Sequence, residues 1–290
     1  MWLLALLVVA DTTTVVNVHV AAGETVSVSI TGRGAPVVLL PGLFGTAFGF
    51  RRVTPMLVEE GFQTIVVEPL GIGKSARPRD ADYSLTAQAA RVAAVLDTLG
   101  LDSALVIAHS LGGSIGLRLA VRRPDLVAAI VLLDGGPAEA TLTPVVRNAM
   151  RFAPLLRLVR DRGPIRGHLR RRLEASSADP AWITDEVVDG YTADLLRDLN
   201  ATIDAFSGMA ESTEPELLIA SLSRIRCPVL LMLGAAPHEG AVPPDEIALL
   251  RDSLPTFALD SVAGVGHFMF EERPRAVVDA ARTLKRDEPR

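Results

Sequence analysis

Short apolar runs alternate with helical stripes along most of this chain. Val37-Val38-Leu39-Leu40, Thr64-Ile65-Val66-Val67, Ala104 to Ala108 and Val127 to Leu133 carry no charge, and each reads as a strand buried on both faces. Helical patterns lie between them. Phe50 to Glu60 is one, stopped by Gly61. Ser84 caps a second, with Leu85, Val92, Val95, Leu96 and Leu99 as its apolar stripe and Gly100 as its end. Leu111 to Arg122 is a third. Upstream, Thr14 to Val20 and Thr25 to Thr31 read as two strands joined by the turn Ala22-Gly23-Glu24. This alternation predicts an α/β fold: a doubly wound, mostly parallel sheet.

The rhythm stops after Gly135-Gly136-Pro137. From there to about Ser221 the pattern is helical, with no convincing strand. It then resumes: Pro228 to Leu233 as a strand, Pro244 to Leu254 as a helix, Phe257 to Val262 as a strand, Pro274 to Arg286 as the closing helix. The expected organisation is an apolar N-terminal segment at 1–13, a sheet core at 14–136 and 222–290, and an inserted all-helical cap or lid at 137–221. The insertion is dense in arginine, with nine such residues from Arg147 to Arg172. The simplest reading is solvated helix faces. An acidic substrate group or a membrane surface is the competing one.

Composition narrows the classes. The chain has 290 residues, 49% of them hydrophobic and 4% aromatic, enough for a sizeable aliphatic core. A net charge of −5 gives no electrostatic case for nucleic acid. The single cysteine, Cys227, excludes an intrachain disulfide and a Cys-rich zinc site, and reads as a small buried hydrophobe. Met1 to Ala10 are nearly all apolar but too few to span a bilayer, which takes about 20 residues. They also lack the basic n-region of a signal peptide. The expectation is a helix or strand packed on the body or on a second subunit. The compartment stays open, with the missing basic residues weighing toward the cytoplasm over export. Membrane contact, and monomer against homodimer, also stay open.

The chemistry centres on Val106-Ile107-Ala108-His109-Ser110-Leu111-Gly112-Gly113. A buried strand runs into a serine flanked by small residues, and a helix follows at once. That is a nucleophile elbow, with Ala108 in place of the first glycine of G-x-S-x-G. Serine needs a base, and the base needs a carboxylate to fix its tautomer. His267, in Gly264-Val265-Gly266-His267-Phe268 after the last strand, can swing over the carboxyl edge of the sheet. His109 neighbours Ser110 but points to the other face, as a structural or supporting residue. His238 is a weaker base candidate. The acid candidates are Asp134, at the end of its strand, and Glu239 and Asp245 in the loop after Gly234. An oxyanion needs preorganised donors. These are assigned to the backbone N–H groups of Leu111 and of Leu43 in Pro41-Gly42-Leu43-Phe44-Gly45.

Taken together these residues resemble the α/β-hydrolase fold family, serine-nucleophile branch (esterase- and lipase-like), over about Thr14 to Leu284. The resemblance rests on Leu40-Pro41-Gly42, on Gly71-Ile72-Gly73-Lys74-Ser75, on His109-Ser110-Leu111-Gly112-Gly113 and on Gly266-His267-Phe268. It implies a serine, acid, histidine order along the chain. Members usually carry aspartate three residues after the glycine that ends the strand, and here that position is Pro237. Counting back from Val242-Pro243 instead puts Glu239 there. The family's alternative acid follows the preceding strand, where Asp134 stands. The choice lies between Asp134 and Glu239, with Asp134 ahead.

The reading is a serine hydrolase cleaving carboxylic esters of short to medium acyl chains through an acyl-enzyme, with no metal and no organic cofactor. Phe44, His109 and Phe268 are candidates for an apolar substrate pocket. Carbon–carbon bond hydrolase, lactonase and perhydrolase chemistry use the same triad. A non-catalytic ligand receptor is the further rival. A phosphate-binding loop is rejected: Gly73-Lys74-Ser75 would need a glycine where Glu68 stands, so no nucleotide is expected. Serine at the elbow argues against the family's epoxide hydrolases and haloalkane dehalogenases, which use aspartate there.

Overall fold

The computed structural model describes residues 12–142, 144–150, 152 and 162–286. The reading of Met1 to Ala10, and Arg151, Arg157 and Arg160 of the arginine cluster, lie outside the described residues. The strands are β1 (Thr14–Ala21), β2 (Glu24–Thr31), β3 (Ala35–Leu40), β4 (Phe62–Glu68), β5 (Ala104–His109), β6 (Val127–Leu133), β7 (Val229–Gly234) and β8 (Phe257–Val262). They form one sheet in the order β1-β2-β4-β3-β5-β6-β7-β8. The β1–β2 and β2–β4 pairs are antiparallel and the remaining pairs parallel.

Helices cover both faces, and the strands show why. Along β5, Ala104, Val106 and Ala108 enter one core, while Leu105 and Ile107 enter the other. The first core is closed by α2 (Leu85–Thr98), α3 (Leu111–Arg122) and α8 (Pro244–Ser253), the second by α1 (Val53–Glu59) and α10 (Pro274–Arg286). A strand buried on both faces has no polar side, which is why these runs read as continuous hydrophobics. The expected helix from Phe50 starts later. A 3-10 turn spans Gly49–Arg51 and α1 begins at Val53, because the ring of Pro55 would collide with the Arg51 carbonyl in a continuous helix.

Between β6 and β7 run α4 (Pro144–Met150), α5 (Gly163–Ala175), α6 (Asp185–Arg197) and α7 (Leu199–Glu211), and no strand occurs there among the described residues. Register places the site. Leu40 pairs with Ala108, and His109 with Leu133, so β3, β5 and β6 end level with one another. The loops after β3, β5, β6, β7 and β8 therefore leave from the same edge, the carboxyl edge of the parallel strands.

Candidate active site

Between β5 and α3 a single residue, Ser110, reverses the chain. Its backbone takes φ 52° and ψ −118°, a conformation a non-glycine residue rarely adopts. The surroundings hold it there. The Ser110 N–H donates to Leu133 O at 3.0 Å, and the Gly113 N–H donates to Ser110 O at 2.9 Å. A Cβ on Gly112 would fall 2.5 Å from Leu40 O, so only glycine fits two residues after the serine. Two residues before it the demand is weaker. Ala108 faces α3 at Gly116, where a methyl-to-methyl approach would be an ordinary 3.5 Å. This explains why alanine can replace the first glycine of the motif.

The adjacent strand repeats the device. Asp134, after β6, has φ 42°, and with Ser110 it is one of two non-glycine residues at positive φ among the described residues. Such strain costs on the order of 1–3 kcal/mol per residue and persists where neighbours over-determine it. Here the Asp134 N–H donates to Met232 O at 3.0 Å, and the Gly234 N–H donates to both carboxylate oxygens at 3.3 Å. The carboxylate is aimed at two imidazoles. His267 Nδ1 lies 3.9 Å from Oδ2, and His238 Nε2 lies 3.2 Å from the same oxygen. Burial pushes the Asp134 carboxyl up to about 6, against the opposing pull of His238 and the Gly234 N–H.

His267 is clamped on all sides. Its N–H donates to Ser176 O at 2.7 Å. Gly240, at φ 91°, lays its backbone against the ring, where a Cβ would sit 3.1–3.2 Å from three ring atoms. The His109 ring centroid is 4.5 Å away, and His109 Nε2 donates to His267 O at 3.1 Å, which fixes the His109 tautomer. Burial lowers His109 to about 4, so it is neutral and acts as a prop. Burial also lowers His267 well below its ordinary value, and the neighbouring His109, His238 and Arg172 further disfavour a positive charge there. A neutral imidazole at neutral pH suits a general base.

These groups meet on one cavity of about 380 Å³. Ser110, Asp134 and His267 line it, together with Leu43, Leu111, Phe44, His109 and Phe268. Leu43 follows β3 and Leu111 opens α3, so both backbones reach the cavity from the strand edge. Leu169, Arg172, Leu173 and Tyr191, from α5 and α6, supply the far wall. Glu239 stands apart. It is exposed, its carboxylate pairs with Arg172 at 3.5 Å, and its N–H donates to Ala175 O at 3.1 Å. The structure brings Asp134 to His267 and turns Glu239 toward the helical segment, because the longer loop after β7 presents Gly240 to the imidazole in its place.

Some supporting groups carried no signal in the sequence. Glu272, on the short helix α9 (Met269–Glu272), accepts from the Gly266 N–H at 3.0 Å and from the Ala178 and Asp179 N–H groups, so it holds the His267 loop to the segment after α5. Glu271 is fully buried between Arg51 and the Tyr191 hydroxyl, which donates at 2.8 Å. Glu68 ends β4 and accepts from the Ala47 and Lys74 N–H groups at 2.8 and 2.7 Å. It thereby joins the loop that follows β3 to Gly71-Ile72-Gly73-Lys74-Ser75.

A family model described as the alpha/beta hydrolase fold matches residues 35–274. The chain belongs to the alpha/beta hydrolase fold family. It is 27% identical over 242 residues to the uncharacterized hydrolase YugF of Bacillus subtilis, covering 83% of this chain and 86% of that one. It is also 27% identical to the 2-hydroxymuconate semialdehyde hydrolase of Pseudomonas sp. strain CF600, covering 81% of this chain and 79% of that one. Among solved structures, the epoxide hydrolase CorEH superposes with a TM-score of 0.78 at 22% identity, covering 94% of this chain and 98% of that one. The α/β hydrolase is thus a hydrolase by family, and its sheet order matches the family's fold.

Proposed function

We propose that this protein hydrolyses carboxylic esters of short to medium acyl chains, with Ser110 as nucleophile, His267 as base and Asp134 as the triad acid. The observation that carries this reading is the pairing of strain and access. The two described non-glycine residues at positive φ are Ser110 and Asp134, at the ends of adjacent strands, and both open on the cavity that His267 lines. Helices α4–α7 act as a cap within 137–221, since α5 and α6 close that cavity. A volume of about 380 Å³ lies at the small end of ligand pockets, roughly 300–1,000 Å³, which suits a small apolar substrate.

In this mechanism His267 Nε2 takes the Ser110 proton while Oγ attacks the ester carbonyl. The negative charge forms on the carbonyl oxygen, and the Leu43 and Leu111 N–H groups donate to it. Collapse breaks the C–O bond, and His267 returns the proton to the leaving alkoxide. A water then gives its proton to His267 and attacks the acyl carbon, releasing the acid and restoring Ser110. Asp134 holds Nδ1–H and stabilises the imidazolium, closing from the 3.9 Å of the free site.

One observation favours a second reading. Arg172 is the cationic residue among those that line the cavity, its guanidinium 3.5 Å from Glu239. A substrate with a carboxylate, cleaved at a carbon–carbon bond by the same triad, would use it. A panel of p-nitrophenyl esters of rising acyl length, with Ser110→Ala as the blank, tests the first reading. Turnover peaking at short to medium chains and lost in the blank is the expected result. No turnover at any length would reject it.

A further inference from the structure

The Asp134 carboxylate faces one imidazole more than a triad uses. His238 Nδ1 lies 2.6 Å from Ala236 O, and a carbonyl only accepts, so Nδ1 carries the proton. In the neutral ring that leaves a lone pair on Nε2, which points at Asp134 Oδ2 from 3.2 Å. That lone pair repels the carboxylate until a cation, a proton or a metal ion, stands between them. His267 Nδ1 approaches the same oxygen at 3.9 Å and lies within 4.8 Å of His238 Nε2. Both His238 Nε2 and His267 Nδ1 are buried with no hydrogen-bond partner. The His238 and Asp134 side chains are each only 1% exposed, so the contact is shielded from bulk solvent.

We propose that Asp134 Oδ2, His238 Nε2 and His267 Nδ1 form an inhibitory site for a divalent transition-metal ion, with Zn²⁺ as the best match. The three ligand atoms lie within 4.8 Å of one another. A tetrahedral zinc with bonds near 2.1 Å needs ligands about 3.4 Å apart, so side-chain shifts of under about 1 Å would close the set. Two imidazoles and a carboxylate are zinc's usual nitrogen and oxygen donors. The Nδ1–H bond from His238 to a backbone carbonyl is the supporting contact that orients a ligating histidine. Asp134 and His267 line the cavity, which leaves a path for the ion and room for a fourth ligand. Once bound, the metal takes Asp134 and Nδ1 away from catalysis. The space between Asp134 and His267 therefore has two exclusive occupants: the proton on His267 Nδ1, which permits turnover, and a metal, which stops it.

The metal site rests on the cluster's geometry. Its link to inhibition rests on the triad proposed above, so binding is measured apart from turnover. Zn²⁺ is titrated calorimetrically into Ser110→Ala, which cannot turn over, and into the same protein carrying His238→Gln or Asp134→Asn. One zinc per chain is expected, with affinity lower by on the order of 100-fold in either double variant. Two are used so that one that fails to fold does not decide the matter. No binding at millimolar Zn²⁺, or equal affinity in the folded variants, overturns the proposal. In the wild-type enzyme, ester turnover should fall along the same zinc isotherm and return with chelator. Zinc that binds at this site and leaves turnover intact overturns the inhibitory role.

Discussion

The sheet body and the helical segment between β6 and β7 hold the two sides of one cavity by different means. In the body, backbone fixes the two strained residues. Ser110 and Asp134 are locked at positive φ by main-chain bonds to Leu133 and Met232, and glycines at 112 and 135 allow contacts no other residue permits. The helical segment is held largely by side chains: Glu271 to Tyr191, Glu272 to the N–H groups of Ala178 and Asp179, and Arg118 to Glu139 and Glu214. A backbone lattice fixes atoms to a fraction of an ångström, which bond-making requires. Side-chain ties leave a wall that can change without disturbing the nucleophile. The body is thus suited to set the rate, and the helices to set the substrate.

The first way to break this division is Ser110→Ala. Loss of kcat on the order of 10⁴- to 10⁶-fold is expected, with thermal stability little changed, since alanine keeps the same Cβ at the same positive φ. Ester turnover by the variant at more than about 1% of wild type would remove Ser110 from the chemistry. Asp134→Asn comes next, with kcat lower by about 10⁴-fold, because the amide cannot hold the Nδ1–H tautomer. Glu239→Gln, in a loop facing Arg172, should change kcat less than about twofold. If the two results were exchanged, the acid assignment would be reversed.

How much of this was legible in the sequence follows the same division. The strands, the elbow and the position of His267 were readable because each is a local pattern: an apolar run, a serine among small residues, a histidine in a glycine loop. The helix α3 matches its expected bounds, Leu111–Arg122, since its start is fixed by the elbow and its end by Arg123-Pro124. What was not legible depends on where separate loops meet. Asp134 and Glu239 were comparable from spacing. They separate only once the loop after β7 is seen to put Gly240 against His267. His238 stood as a loop histidine, and nothing local shows that its Nε2 reaches Asp134 across 104 residues of sequence, a contact of 3.2 Å. Glu271 and Glu272 carry no local signal, because the placement of each carboxylate is decided by Arg51, Tyr191 and the segment at 178–179.

Acidity offers a smaller test of the body. An unperturbed imidazole would put the acid limb of kcat/KM near 6.5. Burial moves the two groups in opposite directions: His267 goes down, and the Asp134 carboxyl goes up to about 6. The His267 imidazole is therefore biased toward its neutral form, and the proton expected to harm the site falls on Asp134, which faces His238, His267 and the Gly234 N–H, with the charge of Glu272 nearby. Activity should be full above about pH 7 and fall as pH drops through about 6. A profile flat down to pH 4.5 would contradict a role for an ionised Asp134.

The helical side should give effects on selection. Leu169, from α5, lines the cavity and is nearly buried. Leu169→Ala adds space at the wall. The ratio of kcat/KM for a longer over a shorter ester should rise about 10-fold, the worth of one or two methylenes in an apolar pocket. The kcat for an acetate ester should change little. A variant that lost kcat on all chain lengths alike would place this helix in the chemistry and erase the division.

Little effect on catalysis, and a modest one on stability, is expected of Tyr191→Phe, which cuts one tie between the regions and removes a single oxygen. The hydroxyl donates to Glu271 Oε1 at 2.8 Å, and Arg51 pairs with the same oxygen. Burial already raises the Glu271 pKa, while Arg51 and then Tyr191 pull it back. Without the hydroxyl the carboxylate loses a charge-assisted bond, which should cost about 1.5–3 kcal/mol at pH 7. The bond favours the ionised carboxylate, so the cost should shrink as pH falls through the folded pKa of Glu271, above its ordinary 4.5. Paired melts of wild type and variant from pH 4 to pH 8 read this directly. The kcat for a short ester should stay within about twofold, since Ser110, His267 and Asp134 are held by main-chain bonds that Tyr191 does not make. If Tyr191→Phe lowered kcat as steeply as it lowered stability, the two regions would act as one, and the cavity's far wall would belong to the catalytic frame.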